Sequence, residues 1–511
     1  MSGTAVKKFG SRLKRFLDQA DLSGFPWKSA TILYTISWSW LLIVHDSFWS
    51  TDWEMFVFPE NTEFDYDSIG LAPWVMKINP ILFDVVGPSF LRLFIFASFF
   101  FAGIFFYGIA KKIYFLDFVD QKILTLLFLV LPFNTSRVAL MVLHYSEAYL
   151  LFFFAWYLAV TFKTSAARYI CIALFFLSFQ MHSMLFFYLL PVLHMFYLSK
   201  KTQNKNVRTW LKDHALFLCL PFSYYLLRSF FWPEQVPYHG ALVGNIGGTV
   251  GFLGFVSFFG LCFYGSYRKA NSSNKAPNLM ISIGFLAIVV GIYPYVLYGF
   301  FPPTASMPFK YLQTFLGRTS WYTRHQTLQP LGISLVIVGS LNFLRFKTRR
   351  LPKLCYHFAL VGCVVMNLGF GLEHFIDHSK QRKIVSELKV AGESQAVDTY
   401  QFIDQTWFLN ARGQKMPGIG WRGLIGLAYN SGEAGRVQVE IRCVERENAR
   451  LILIQGPKTH WDALRNWVGD GDMGFTVTIS EPPKACESQK VADQQSSGEI
   501  PILFYFTGAK N

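Results

Sequence analysis

Charge is what this sequence has little of. Only 15% of its 511 residues are Asp, Glu, Lys or Arg, where roughly 25% is usual in a globular chain. Hydrophobic residues make up 52% and aromatics 18%, with 54 Phe, and the mean hydropathy is +0.30. Too little polar side chain remains to cover a water-soluble globule of this length, and apolar runs such as Leu91 to Gly108 and Leu279 to Val296 approach the ~20 residues that cross a bilayer. Disorder and fibrous repeats are excluded. Cysteine is also scarce. None of the seven Cys has metal-ligand spacing, and Cys171, Cys219, Cys262, Cys355 and Cys363 lie in or beside apolar runs, where Cys acts as a small hydrophobe; this excludes a disulfide scaffold. A cleavable leader is not evident, because Met1 to Ala20 is polar and basic and no small-residue cleavage site follows the first apolar run. That run reads as an anchor. No internal repeat of the kind found in transporters built from inverted halves is visible.

What is present is a succession of apolar segments. We read spans at 28–45, 89–109, 121–135, 147–162, 169–181, 184–199, 214–231, 248–266, 278–299, 328–345 and 354–373. Net charge is +15, but the cations sit in short clusters between these runs, so they signal topology rather than nucleic acid. Alternate connections carry Lys7 to Arg15, Lys111 with Lys112, Lys200 to Lys212, and Arg345 to Lys353. The positive-inside rule then places the N-terminus inside and the C-terminal region outside. Val6, Phe9, Leu13, Phe16 and Leu17 at helical spacing among cations predict a basic amphipathic helix on the inner leaflet.

Beyond residue 373 charge rises and short alternating segments appear. Val437–Val444, Arg450–Ile454, Phe475–Ile479 and Ile500–Phe506 read as strands joined by turns at Pro417-Gly418, Asn430–Gly432 and Gly456-Pro457. Cys443 and Cys486 would face an oxidising compartment there, either paired or as two thiols. The fold expected is an all-α polytopic membrane bundle of about eleven transmembrane helices, N-terminus in and C-terminus out, with a small β-rich or α+β soluble C-terminal domain. Its boundaries are 1–27 for the basic segment, 28–373 for the bundle and 374–511 for the outer domain.

Three places could hold chemistry. The spans packed into 121–199 are short, so their outward ends should stop below the surface and leave a depression. Asn134, Thr135, Ser136, Arg137, His144, Tyr145, Glu147, Gln180, His182 and Ser183 fall at those ends, and polar groups at that depth line cavities or pair with one another. An Arg137–Glu147 pair that only fixes packing is the plainer alternative. The first outer loop, His45 to Pro88, is acidic and aromatic, and Asp46, Asp52 and Glu54 stand among aromatics at the membrane rim. A carboxylate partly desolvated there becomes basic enough to take a proton from a hydroxyl. The last outer loop, Pro302 to Pro330, carries Lys310, Arg318, Arg324 and His325 and no acid. Its Arg forks suit a phosphate; contact with lipid headgroups is the plainer alternative.

An Asp46-to-Glu54 loop directly after the first span, short third to sixth spans, and the string Thr323-Arg324-His325-Gln-Thr-Leu-Gln-Pro330-Leu-Gly332 together resemble the membrane-embedded GT-C glycosyltransferases over roughly residues 28–373. The adjacent acidic pair common in that family is replaced by Asp52 and Glu54 around Trp53, with Asp46 apart. The resemblance implies an inverting glycosyltransferase, multi-pass in a bacterial inner membrane with its site and C-terminal domain on the periplasmic side. It would transfer a sugar from a polyprenyl-phosphate donor to a glycan, lipid or protein acceptor. Asp52, or failing that Asp46 or Glu54, would be the base, and Arg324 with Arg318 and His325 would hold the phosphate. Lys310, Arg137, His144, Glu147 and His182 are further candidates for substrate contact. No cofactor is expected and no metal is demanded, although a divalent cation stays open. The alternatives are an O-antigen polymerase or ligase using a lipid-pyrophosphate oligosaccharide, and a transporter of lipid-linked saccharides. Transport fits less well with polar residues gathered at the outer ends only.

Overall fold

The computed structural model describes residues 22–49, 52, 73–162, 164–203, 206–231, 233, 276–297, 326–345, 351–392, 399–411, 415–416, 418–429, 438–440 and 449–480. They gather into two compact units, one from the chain up to His45 with Phe64–Leu368, the other from Asp46–Glu63 with Gly369 onward. The expected basic helix over 5–19, the span 248–266, the strand 500–506 and both Cys443 and Cys486 lie outside the described residues.

The first unit is helical. Its elements are α1 (Trp27–Trp38), α2 (Pro73–Lys111), α3 (Phe118–Val130), α4 (Leu143–Thr161), α5 (Ser165–Ser178), α6 (Leu189–Gln203), α7 (Ala215–Phe231), α8 (Ala276–Leu297) and α9 (Gln329–Arg345). Helix starts follow local chemistry: the Asp117 carboxylate accepts from Asp120 N at 2.7 Å to cap α3, and Thr164 Oγ1 accepts from Ala167 N to cap α5. Helices α8 and α9 touch backbone to backbone, since a Cβ on Gly284 would stand 2.7 Å from Gly332 O. Small residues allow that approach, as in membrane helix pairs. Large apolar side chains such as Ile32, Ile36, Phe101, Phe222 and Phe230 are exposed on the outer faces, the reverse of a water-soluble helix.

Among the described residues three helices are long and apolar enough to cross a membrane: Ile81–Lys111, Ser183–Thr202 and Leu354–Ala391. The 14 residues of α5 span about 21 Å at 1.5 Å per residue, short of the ~30 Å hydrocarbon core. The return segment Ser183–Thr202 is not short in this way, so only one helix of the 169–199 pair has the deficit expected.

Two other boundaries differ from expectation. The supposed loop before Pro88 becomes helical at Pro73, and α2 turns sharply at Gly87 with φ 75° and ψ 169°. Glycine takes that positive φ without strain, and Pro88 starts the second helical stretch because its missing N–H is not needed there. The last helix, α10 (Leu351–Ala391), does not stop at 373. No breaker interrupts it, and its polar continuation still buries one face through Ile376, Ile384 and Leu388.

The second unit contains the end of α10, then β1 (Thr399–Asp404), α11 (Gly418–Tyr429), β2 (Gln438–Glu440), β3 (Ala449–Gln455), α12 (His460–Asp470) and β4 (Thr476–Ser480). The sheet order is β2-β1-β3-β4, with β1 parallel to β2 and β3, and β4 antiparallel to β3. Strand β1 and both helices escape an alternation-only reading. Gly418, read as a turn, opens α11, whose Trp421 stacks on Phe402 of β1 at 4.4 Å. Thr459 and Asp462 form a reciprocal cap for α12 at 3.0 and 2.8 Å. Ile376 of α10, Leu409, Ala463, Met473 and Phe475 form the core.

Candidate functional site

In the first unit the chain between α3 and α4 leaves the helix over Leu131–Val142, with two short turns of 3-10 helix. Buried backbone that leaves a helix needs hydrogen-bond partners inside the protein for its polar groups. Side chains supply them here. Trp38 Nε1 donates to Leu129 O at 3.0 Å, Asn367 Nδ2 to Val130 O at 2.7 Å, and Arg92 Nε to Val138 O at 3.2 Å. Arg137 gives Nη2 to Phe133 O at 2.9 Å and Nε to Asn134 O at 3.0 Å. Its guanidinium lies 3.7 Å from the Trp38 ring centre and 3.9 Å from that of Phe99, so a cation–π sandwich shelters the charge. Asn134 makes the turn with φ 57° and takes the Ser136 hydroxyl at 2.9 Å.

Arg137 therefore pairs with carbonyls and rings, and among the described residues no ion pair joins it to Glu147. Glu147 instead meets the Gln180 side chain, while Gln180 also donates to His144 O at 3.3 Å. His144 is buried against Tyr145, and His182 precedes the short helix Ser183–Phe187. Arg92, fully buried and also donating to Val44 O at 2.8 Å, stands inside a run that sequence reading treated as purely apolar. Its only signal was a cation interrupting that run.

Polar groups are not confined to one end of the helices. Asp120, in the first turn of α3, accepts from Asn342 Nδ2 at 2.8 Å, and Tyr356 donates to Asn342 Oδ1 at 3.3 Å. Asp120 and Asn342 sit at the helix ends opposite to Val130 and Gln329. The expectation of polar residues at the outer ends only is therefore corrected.

The second unit assembles a different cluster. His374, Asp377, His378 and Gln381 recur along α10 at helical spacing, and all four are buried. Asp377 Oδ2 accepts from Trp49 Nε1 at 3.0 Å and from Ala411 N at 2.9 Å. Gln381 Nε2 donates to Phe48 O at 3.3 Å, and the His374 ring meets Trp49 edge-on at 5.4 Å. His378 Nε2 lies 3.3 Å from Asp46 Oδ1, with the His378 side chain 5% exposed and that of Asp46 43%. Asp52 is wholly buried, and its Oδ2 accepts from Trp49 N at 3.2 Å while its own N–H donates to Trp49 O. The two acids thus differ: Asp52 closes the turn after Trp49, whereas Asp46 is presented outward from a buried histidine. Nearby, Lys380 Nζ is held by Asp404 and Asn410 at 2.6 Å each, which ties α10 to the end of β1.

Glu54, Lys310, Arg318, Arg324 and His325 lie outside the described residues. Among the described residues no group of three or more His, Cys, Asp or Glu is placed to hold a metal ion. No family model, curated protein or solved structure matches the chain.

Proposed function

We propose that this chain is a multi-pass membrane glycosyltransferase, N-terminus inside and C-terminal unit outside, that moves a sugar from a polyprenyl-phosphate donor to an acceptor on the outer side of a bacterial inner membrane. The observation that carries the reading is Asp46, a half-exposed carboxylate just past the first helical stretch, with the buried His378 imidazole against one oxygen. The imidazole orients that oxygen, and the side chain, 43% exposed, stands where an acceptor hydroxyl can reach it. It takes the proton of an acceptor hydroxyl as that oxygen attacks the anomeric carbon. The bond from that carbon to the phosphate oxygen breaks, its electron pair stays on the phosphate, and configuration inverts. Arg324, with Arg318 and His325, would hold the departing phosphate as its charge grows. Asp52 takes a lesser part here than the sequence alone suggested, because its carboxylate is buried and already accepts a backbone N–H.

A second reading is transport of a lipid-linked saccharide. It is favoured by one observation: the Asp120–Asn342–Tyr356 cluster places buried polar groups at the other helix ends, where a path across the bundle would need them. Purified protein in lipid nanodiscs, given radiolabelled polyprenyl-phosphate hexoses and a lipid or glycan acceptor, separates the two. Transfer that Asp46→Asn abolishes supports the enzyme; movement of intact donor across a vesicle membrane, unaffected by Asp46→Asn, supports the transporter.

A further inference from the structure

Helix α12 is apolar on two sides. On one, Ala463 joins the second unit's core and the Trp467 ring meets Phe375 of α10 edge-on at 5.4 Å. On the other, Trp461, Leu464 and Val468 recur at i, i+3 and i+7, a spacing that makes one stripe. Trp461 is 52% exposed and Val468 73%, so this stripe is an interaction surface rather than a solvated face. Lys458 and Arg465, both exposed, flank Trp461 at i−3 and i+4.

The level at which α12 meets α10 identifies what covers the stripe. Residues 354–372 hold no Asp, Glu, Lys or Arg, and at 1.5 Å per residue they run about 28 Å, close to the ~30 Å hydrocarbon core. Glu373 is the first charge beyond them. Leu372 and Phe375 pack against the cluster that holds Ala463, within one turn of that boundary. They also continue a series: exposed Leu354, Phe358, Val361, Val365 and Leu368 follow one another three or four positions apart along α10, and Leu372 and Phe375 are the next two members. Helix α12 is therefore seated on the apolar stripe of α10, at the height where hydrocarbon gives way to headgroups.

We infer that the Trp461–Leu464–Val468 stripe is an interfacial membrane anchor, lying in the headgroup layer of the leaflet from which α10 emerges. Trp suits that layer because its ring is apolar and its N–H polar, and the two flanking cations meet lipid phosphates. A protein partner needs no particular height on α10, whereas a lipid surface does, and α12 has it. The anchor holds the second unit at the bilayer surface whatever that unit acts on, so the inference stands apart from the glycosyltransferase reading.

The test uses the full-length protein in nanodiscs of phosphatidylethanolamine and phosphatidylglycerol. A photoreactive p-benzoylphenylalanine replaces one residue at a time, and mass spectrometry identifies what it joins on irradiation. Trp461 and Val468 are the test positions, both exposed enough to accept the ring without disturbing the core. Leu368, on the exposed stripe of α10, reports insertion in the bilayer. Val390, 81% exposed and about 27 Å beyond Leu372 along the same helix, reports a surface out of lipid reach. Phospholipid adducts should form at 461 and 468 as at 368, about tenfold or more above the yield at 390, since an interfacial helix sinks only to the headgroup and acyl boundary. Adducts at 368 with none at 461 and 468 overturn the anchor, and so does an equal lipid yield at 390. Adducts at 461 and 468 that join a peptide, from a second copy of this chain or another protein, overturn it as well and assign the stripe to a protein interface.

Discussion

The break between α3 and α4 and the segment from Asp46 to Asp52 are built from the same kinds of residue, buried Trp, Asn or Gln, and charge, yet they use them in opposite ways. In the first, Trp38, Arg92, Arg137 and Asn367 spend their N–H groups on backbone carbonyls, and what they secure is an irregular stretch of chain. In the second, Gln381 holds a carbonyl, Phe48 O, in the same way, but other groups turn to side-chain carboxylates: Trp49 to Asp377 and His378 to Asp46. Polarity at depth is therefore not by itself a sign of a site. The direction in which the donors point distinguishes a scaffold from a group held ready, and by that criterion Arg137 is scaffold and Asp46 is the candidate.

The contrast breaks most sharply at Asp46. Asp46→Asn keeps the shape and removes the basicity, so turnover should fall on the order of 10²-fold or more, with little change in thermal midpoint because the side chain is 43% exposed. A variant that turns over donor at the wild-type rate would leave the segment as scaffold too.

Arg137→Met should show the reverse pattern. It removes the side-chain donors to Phe133 O and Asn134 O, the latter keeping the Arg137 backbone N–H, together with the cation–π contacts to Trp38 and Phe99, and a lost buried hydrogen bond costs about 1–3 kcal/mol. A loss of about 2–5 kcal/mol in stability in detergent is expected, with the surviving folded fraction binding bare undecaprenyl phosphate as the wild type does. If Arg137→Met folds normally and loses only that binding, Arg137 belongs to a site after all.

Asp377→Asn probes the support beneath Asp46. The amide retains an acceptor but cannot take Trp49 Nε1, Ala411 N and Gln381 Nε2 as a carboxylate does. We expect about 1–2 kcal/mol of lost stability and faster hydrogen exchange at the Ala411 amide. Turnover should drop less than in Asp46→Asn, through kcat rather than KM, since Asp377 acts by holding the segment. Unchanged exchange at Ala411 would remove Asp377 from that role.

Much of the helical layout was legible because apolar runs leave long unbroken signals: helices stand at ten of the eleven expected positions, with 248–266 outside the described residues, but among the described residues three helices are long and apolar enough to cross a membrane. What could not be read was whatever depends on contacts between distant segments. The extension of α10 is polar, and it is helical because it buries one face through Ile376, Ile384 and Leu388, the first of them in the second unit's own core. Strand β1 contains Gln401 and Asp404 and gains its place by pairing with β2 and β3. Asp46, Asp52 and Arg137 could be nominated from type and position, but their roles diverge through partners more than 300 residues away in one case, His378 with Asp46, and three residues away in another, Trp49 with Asp52. His374, Asp377, His378 and Gln381 did carry a sequence signal, four polar residues on one helical stripe, which a reading that ended the helix at 373 could not use.

The smallest effect is expected at Asp52, and it decides between the two acids. Asp52 Oδ2 accepts from Trp49 N, and Asp52 N donates to Trp49 O, so the residue closes a turn. Asn supplies a carbonyl oxygen of nearly the same reach, and residues of this type are interchangeable in such caps and turns within a few tenths of a kcal/mol to about 1 kcal/mol. Asp52→Asn should therefore keep turnover within about fivefold of wild type, which is about 1 kcal/mol of barrier, and lower the thermal midpoint only slightly. Asp52→Ala, which removes the acceptor and leaves Trp49 N unmade in a buried place, should cost about 1–3 kcal/mol of stability and loosen Asp46 indirectly. A fall of 10²-fold in Asp52→Asn with an unchanged midpoint would mean that the buried carboxylate itself takes the proton. The outward presentation of Asp46 from His378 would then be a structural contact, like those of the α3–α4 break.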